Sequence, residues 1–432
     1  MFRWQRWAGT AAAILSLASI GQAAATTEPV TLPGAMREML AWHPGIAQAA
    51  ATIDARDAEV EVARAGYLPR ISAGVGSGYD NRLGSSWRPR PQVSASQMLF
   101  DFGKVSSAVD AARAGTRIGR ADLLLAVDGL IRDTGYAVVE LQRNVALRTV
   151  ASEQLERIRA ISALVGNRFA KGATTRSDAL QAQSRVAAAE AALARIDAEE
   201  RRWASNLAFL LGRDAPPAAI DTDMPDWLSR SCDETAIDWD GVPAVMRADA
   251  EKSQADADLR RNRAGRMPTV ALAGDAATDV TGPLSNRSAY SFGLTVTSDV
   301  FGGNAVRARV RGASAAVSAA EAGARQARLE TGQRLAEAQQ QIVSLSALLD
   351  TLAARQGDMV ETGKLYRLQY LDMGTRTLVD LLNAEQELQQ ARFDSVNTMH
   401  DLRRLQLDCL YYSGRSRDAF ALTGTRFRGV TL

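Results

Sequence analysis

The chain is written twice, at a period of about 200 residues, and each copy contains a helix too long for a globular domain. Trp42-His43-Pro44-Gly45-Ile46 aligns with Gly241-Val242-Pro243-Ala244-Val245, and Tyr67-Leu68-Pro69 with Arg266-Met267-Pro268. Leu99-Phe100-Asp101-Phe102-Gly103 aligns with Val300-Phe301-Gly302-Gly303. Gly172, Asp178 and Ala182 align with Gly374, Asp380 and Ala384, and Leu211-Gly212-Arg213 with Ser413-Gly414-Arg415. Shared Pro and Gly punctuation in one order is not what two unrelated Ala-rich helical stretches would show. Each half reads as a first helix (about 34–66 and 242–265), two strand-like segments, a very long helix (104–169 and 304–371) and a last helix (177–211 and 377–412). At 1.5 Å per residue a helix of about 66 residues is roughly 100 Å long, which implies a coiled coil or a helical wall.

The seam of that wall is visible in the second half. Leu335, Ala338, Ile342, Leu345, Leu349, Leu352, Met359, Tyr366 and Tyr370 alternate steps of three and four, skipping only Gln356 and Gly363. Ile131, Thr134, Val138, Leu141 and Val145 keep the same step in the first half. The two shorter helices of a repeat sum to nearly the length of the long one, so they can stack end to end beside it. The strand-like segments have period two. Ile71 to Tyr79 alternates apolar or small residues with Ser and Gly, and Tyr290, Phe292, Leu294 and Val296 alternate with Ser291, Gly293, Thr295 and Thr297. Turn residues fill 80–91 and 281–287. Segments of about ten such residues are the pattern of a membrane β-barrel. Four strands cannot close in lipid without leaving edges, whereas three chains supply twelve, which can.

The ends and the linker complete the division. Arg3 and Arg6, the apolar run from Ala8 to Ile20 and Gly21-Gln22-Ala23-Ala24-Ala25 read as a secretory signal, 1–25, with cleavage after Ala23 or Ala25. The first repeat is then 26–213, a Pro-, Asp- and Trp-rich linker 214–241, the second repeat 242–415 and a tail 416–432. No later run of about 18 apolar residues predicts a membrane helix. With 51 Lys+Arg against 49 Asp+Glu there is no basic excess to suit a nucleic acid. The two cysteines, Cys232 and Cys409, can pair in an exported protein or remain free thiols in apolar packing. The two histidines, His43 and His400, have no metal-ligand spacing; with no nucleophile elbow or phosphate loop, neither an enzyme nor a cofactor is expected.

Met373-Gly374-Thr375-Arg376-Thr377-Leu378-Val379-Asp380-Leu381-Leu382-Asn383-Ala384 resembles the second inner-tip motif of the TolC family of outer-membrane factors. The Leu-Pro before the strands, the Phe-x-x-Gly after them and the duplicated Gly-x5-Asp are further marks, over essentially the whole mature chain. The resemblance implies a homotrimer, mainly α with membrane β: a twelve-stranded barrel in the outer membrane continued by a coiled-coil tunnel through the periplasm. Linker and tail would form an equatorial belt, and Cys232 and Cys409 would both lie near it. It also implies a passive exit duct for type I protein secretion, served by a periplasmic membrane-fusion adaptor and an inner-membrane ABC exporter. The alternative is drug or metal efflux with a proton-driven pump. Residue by residue, Gly172, Thr175, Gly374 and Thr375 fall at tips where an adaptor docks, and Asp178 and Arg376 match residues that tie the entrance shut. Asp380 matches an acidic position lining the mouth. Asn383 stands where some members carry a second acid, and Leu371 where some carry a Tyr. Beside this stands a plainer reading: Thr175-x-x-Asp178 and Thr377-x-x-Asp380 have capping-box spacing, and Arg376 can be a solvated charge. A rival function is a periplasmic coiled-coil spacer, which would have no use for two alternating hairpins at the helix ends.

Overall fold

A computed structural model describes residues 28–78, 88–233, 237–278, 289–298, 304–427 and 430–431. The predicted signal segment, most of both strand-connecting turns and the Phe301-Gly302-Gly303 motif lie outside these residues. The elements run α1 (Leu32–Trp42), α2 (Pro44–Arg64), β1 (Arg70–Gly78), β2 (Arg88–Phe100), α3 (Lys104–Ala170) and α4 (Arg176–Leu211). After α5 (Asp226–Ser229) the order repeats as α6 (Pro243–Ala264), β3 (Thr269–Ala277), β4 (Ala289–Thr297), α7 (Ala305–Leu368) and α8 (Leu378–Tyr412), with α9 (Ser416–Ala419) in the tail. One expectation needs correcting. The first helix is not continuous over 34–66: it breaks at His43, because Pro44 has no amide to donate and biases the residue before it away from helical geometry. The His43 ring then caps the new helix, its Nδ1 accepting from the Gly45 amide at 3.1 Å.

The strands form one antiparallel sheet in the order β1-β2-β3-β4, so the hairpins of the two repeats pair side by side. Register puts Ile71, Ala95 and Gly274 in one row, and Val296–Val270 and Leu294–Leu272 in the next pairs, all on one face. Phe292 (83% exposed), Tyr290 and Val75 extend that apolar face, which nothing among the described residues covers. The opposite face carries Ser72, Ser94, Ser96, Ser291, Gly293 and Thr295, small and polar. Pro89 and Pro91 are tolerated in β2 because they fall beyond the first β2–β3 pair, Gln92–Ala277.

The helix α3 has 67 residues, roughly 100 Å. Buried Asp101 starts it, accepting from the amides of Gly103 (2.9 Å) and Val105 (2.6 Å). It is the shared beam of both repeats: α2 and α4 stack end to end along one side of it, α6 and α8 along the other, and α7 packs beyond α6 and α8. The wall therefore reads α2-α3-α6-α7 near the sheet and α4-α3-α8-α7 farther away. On α7 the predicted seam is the face turned inward, with Leu335, Ala338 and Leu352 buried and the remaining faces largely exposed.

Packing between α3 and α8 is close at the waist and ionic along the length. At Gly135 an added Cβ would lie 2.7 Å from the end of the Leu407 side chain and 3.4 Å from that of Met36, so a larger residue there would have to displace both. Below it runs an antiparallel ladder: Glu140–Arg404 (3.0 Å), Arg143–Asp401 (2.5 Å), Glu153–Arg392 (2.6 Å) and Arg157–Glu385 (3.2 Å). Tyr136 also donates to Asp408. Partly exposed rungs are each worth about 0–1 kcal/mol, so they set register more than stability.

The ends of the first repeat, the linker and the tail fasten to this waist. Arg213 grips Glu38 with two bonds of 2.6 and 2.7 Å, and Trp42 Nε1 donates to the Leu210 carbonyl at 3.0 Å. Arg417 of α9 donates to the Gly241 carbonyl at 3.0 Å and lies 3.5 Å from Asp128 of α3. Asp128 is 1% exposed and accepts no hydrogen bond, and burial pushes its carboxyl up to about 7, against the pull of Arg417 and with a further push from Asp418. A carboxyl raised in the folded state favours folding while protonated. Its favourable contribution is complete below the ordinary carboxylate value and is lost as pH climbs toward about 7. Thermal unfolding between pH 4 and 8 is accordingly expected to show a falling midpoint in the native chain and a flatter profile in Asp128→Asn, a difference of a few degrees at pH 8. Parallel profiles would refute the assignment.

Candidate functional site at the paired helical tips

Both repeats end, far from the sheet, in a tight helical turn. Gly172 closes the first with φ +73° and Gly374 the second with φ +66°, left-handed values that an L side chain rarely adopts. An added Cβ would touch nothing within 4 Å at either, so the glycines answer a backbone demand and not a packing one. The tips differ in one respect. Whereas α3 ends in ordinary geometry, α7 widens into a π-turn over Gln369–Met373, with the Thr375 amide donating to the Gln369 carbonyl at 3.1 Å. An apolar cluster of Ile158, Ile161, Val165 and Ala182 from the first tip with Tyr370, Leu378, Leu381 and Leu382 from the second holds the two together. Leu371 packs at its margin beside Tyr366.

Each following helix opens with a complete capping box. The Thr175 hydroxyl accepts from the Asp178 amide at 3.1 Å, while the Asp178 carboxylate accepts from the Thr175 amide at 3.2 Å and the Thr174 hydroxyl at 2.6 Å. The Thr377 hydroxyl accepts from the Asp380 amide at 3.2 Å, and Asp380 accepts from the Thr377 amide at 3.1 Å and its hydroxyl at 2.9 Å. Hydrogen bonds to the ionised form hold both carboxyls below the usual range, from the Thr174 hydroxyl first at Asp178 and from the Thr377 amide first at Asp380. Both stay charged near neutrality.

Within one chain Arg376 does not meet Asp178. Its Nε donates to Gln369 Oε1 at 3.3 Å, and its guanidinium lies 4.5 Å from the Tyr366 ring centroid, folded back on its own hairpin. Asn383 is not idle: Arg185 of α4 reaches across to it at 3.5 Å and to Gln386 at 2.5 Å. Sequence reasoning missed Arg185, Gln369 and the Arg168 guanidinium 5.1 Å above the Tyr370 ring. The missing signal is long-range, since Arg185 and Asn383 are 198 residues apart. The repeat alignment, which places α4 and α8 at equal height, is the only clue in the chain. A disulfide joins Cys232 of the linker to Cys409 of α8, Cα atoms 5.4 Å apart, against Leu335 and Ala338 of the α7 seam. His400 is buried and its Nδ1 donates to the Val396 carbonyl at 2.7 Å; burial first, then Arg403 and Arg143, push its pKa down to about 4, so it is a neutral packing residue. Among the described residues no group of His, Cys, Asp and Glu could hold a metal, and no helix is long and apolar enough to cross a membrane.

Two outcomes check this description. Thr175→Ala is expected to remove one half of the first capping box and weaken the start of α4 by about 1 kcal/mol, seen as faster amide exchange confined to its first turn. Cys232→Ser is expected to lower the unfolding midpoint without changing the helical spectrum, since a cross-link closing a long loop contributes roughly 2–5 kcal/mol. An unreduced mass equal to the reduced one would show that the bond does not form.

Comparison with known proteins agrees with this geometry. The outer membrane efflux protein family model matches residues 35–213 and 241–406, one stretch per repeat. Protein CyaE of Bordetella pertussis is 30% identical over 322 residues, 69% of this chain and 66% of CyaE, just under two thirds of that protein's length. A membrane protein from Pseudomonas aeruginosa superposes with a TM-score of 0.79 at 20% identity, covering 88% of this chain and 90% of that one. The outer membrane protein VceC of Vibrio cholerae gives 0.78 at 18% identity, covering 89% and 96%. With both halves of its duplicated wall matched, the chain belongs to the outer membrane efflux protein family.

Proposed function

We propose that three copies of this chain close into a passive duct that conducts protein cargo out of the cell in type I secretion. The observation that carries the reading is the pair of free edges. The sheet ends at β1 on one side and β4 on the other, and the wall ends at α2 and α4 on the first side and α7 on the second. Each edge of one copy is thus the complement of the opposite edge of the next, which is the head-to-tail association that closes rings. Lipid forbids open edges, and three four-stranded sheets make a twelve-stranded barrel whose exposed apolar face meets the membrane. The small, polar face then lines the bore.

A duct of this kind needs no chemistry of its own. Cargo choice and energy belong to an inner-membrane ABC exporter, and a periplasmic adaptor joins it at the tips carrying Gly172, Thr175, Gly374 and Thr375. The likeness to CyaE over both repeats supports secretion over small-molecule efflux. The gate is a contact between copies. Arg376 swings from its own Tyr366 and Gln369 to Asp178 of the neighbouring copy when the mouth is shut. Each such pair is worth about 0–1 kcal/mol, so three of them bias the mouth without locking it.

Arg376→Ser is expected to raise single-channel conductance severalfold in planar bilayers; unchanged conductance would remove Arg376 from the gate. Co-expression with an adaptor and an ABC exporter is expected to release the exporter's protein substrate into the medium only when this chain is present. Restoration of dye extrusion through a proton-driven pump, with no protein release, would favour efflux instead.

A further inference from the structure

The internal duplication fixes which residue of the second repeat stands in the place of each residue of the first. Pro44 and Pro243 open equivalent helices, Gly103 and Asn304 precede the two long ones, and Gly172 and Gly374 close the two tips. The spacing between equivalents grows by one from the start of the long helices to the tips, and the π-turn over Gln369–Met373 is where α7 takes up that extra residue. Between its start and that turn, α7 is therefore in fixed step with α3. Burial agrees: Leu123 and Ala324, Thr134 and Leu335, Ala137 and Ala338, Ala151 and Leu352 are buried as equivalent pairs.

Within one copy, α8 and the tail meet α3 at a polar knot. Asp128 lies 3.5 Å from Arg417, which donates to the Gly241 carbonyl at 3.0 Å, and Tyr411 borders the same cavity as Asp128. At the free edges of the wall each of these places is apolar. Leu329 stands for Asp128, Ala215 for Arg417, Trp42 for Gly241 and Phe209 for Tyr411, while Pro216 stands for Asp418. Leu329 on α7 is 64% exposed; Phe209 and Trp42, on the opposite edge, are 78% and 46% exposed. Trp42, Phe209 and Pro216 line an open groove of about 380 Å³. Head-to-tail closure brings α7 of one copy against α4 of the next, as α3 lies against α8 within a copy. The exposed leucine and the groove then fall at one level, and both leave water on meeting.

We infer that Leu329 of one copy seats in the Trp42–Phe209–Pro216 groove of the next, an apolar lock at the waist in the place of the Asp128–Arg417 knot. This rests on the duct reading above and adds the register at which copies join. The exchange of polar for apolar also keeps the two seams from substituting for each other, since Asp128 offered to the groove would bury a carboxylate without a partner. The native cysteines are bonded to each other, so two added thiols report on their own proximity. Full-length protein carrying Phe209→Cys and Leu329→Cys, oxidised with copper phenanthroline in the membrane, is expected to run mostly as covalent dimers and trimers that a reductant returns to monomers. Phe209→Cys with Val343→Cys should give none, because Val343 lies roughly 21 Å farther along α7. Leu329→Asp should lower the temperature at which trimers separate on a gel, and adding Ala215→Arg, which rebuilds the knot, should recover part of the shift. Heat-modifiable trimers that fail to cross-link through 209 and 329, or that link equally through 343, would overturn the lock. So would a separation temperature unmoved by Leu329→Asp. Native protein that is monomeric in membranes would instead overturn the duct.

Discussion

Unpaired strand edges are the constraint from which the rest of this structure follows. A sheet of four short strands presents two rows of amide and carbonyl groups that water can satisfy but lipid cannot. The apolar face formed by Ile71, Val75, Leu272, Phe292 and Val296 excludes the aqueous solution, and the open edges exclude the membrane for a single copy. Only closure on further copies resolves both, and the helical wall obeys the same condition because α7 leaves its far side uncovered.

The wall itself depends on how α3 is shared. One continuous helix serves as neighbour to α2 and α4 on one side and α6 and α8 on the other, so the two repeats cannot slide past each other without breaking the ladder from Tyr136–Asp408 down to Arg157–Glu385. The rungs are individually weak, and the apolar contact at Gly135 and Leu407 is confined to the waist. The belt, with Arg417 on Gly241 and the Cys232–Cys409 bond, is fixed at that same level. Farther down, the tip cluster around Tyr370 and Leu381 joins the two hairpins.

Charge is used differently at the two ends of the stalk's work. Along α3 and α8 carboxylates and guanidiniums face each other and nearly cancel. At the tips carboxylates turn inward to cap helices, and guanidiniums rest on amides or aromatic rings. Paired charge sets register along the stalk, whereas at the tips charges of both signs are held by neutral groups.

Much of this was legible in the residues themselves. The duplication, the α7 seam and the period-two strands are local or repeated patterns, and helix and strand geometry turn them directly into a wall and a sheet with one apolar face. The tip turns were equally readable, since a Gly followed by Thr-x-x-Asp is a short-range code for ending one helix and capping the next. The sequence also proposed Asp178 and Arg376 as a pair, but one chain holds Arg376 on Gln369 and Tyr366, seven and ten residues away in its own hairpin. The break at His43 was misread because an Ala-rich pattern continues across it while Pro44 removes the amide that would carry the helix through. What only the tertiary structure decided are contacts between residues far apart in the chain: Arg185 on Asn383, Asp128 beneath Arg417, Leu407 against Gly135, Cys232 on Cys409. No periodicity announces such pairs, because they depend on where two helices cross and at what height, and that is settled by packing and not by propensity.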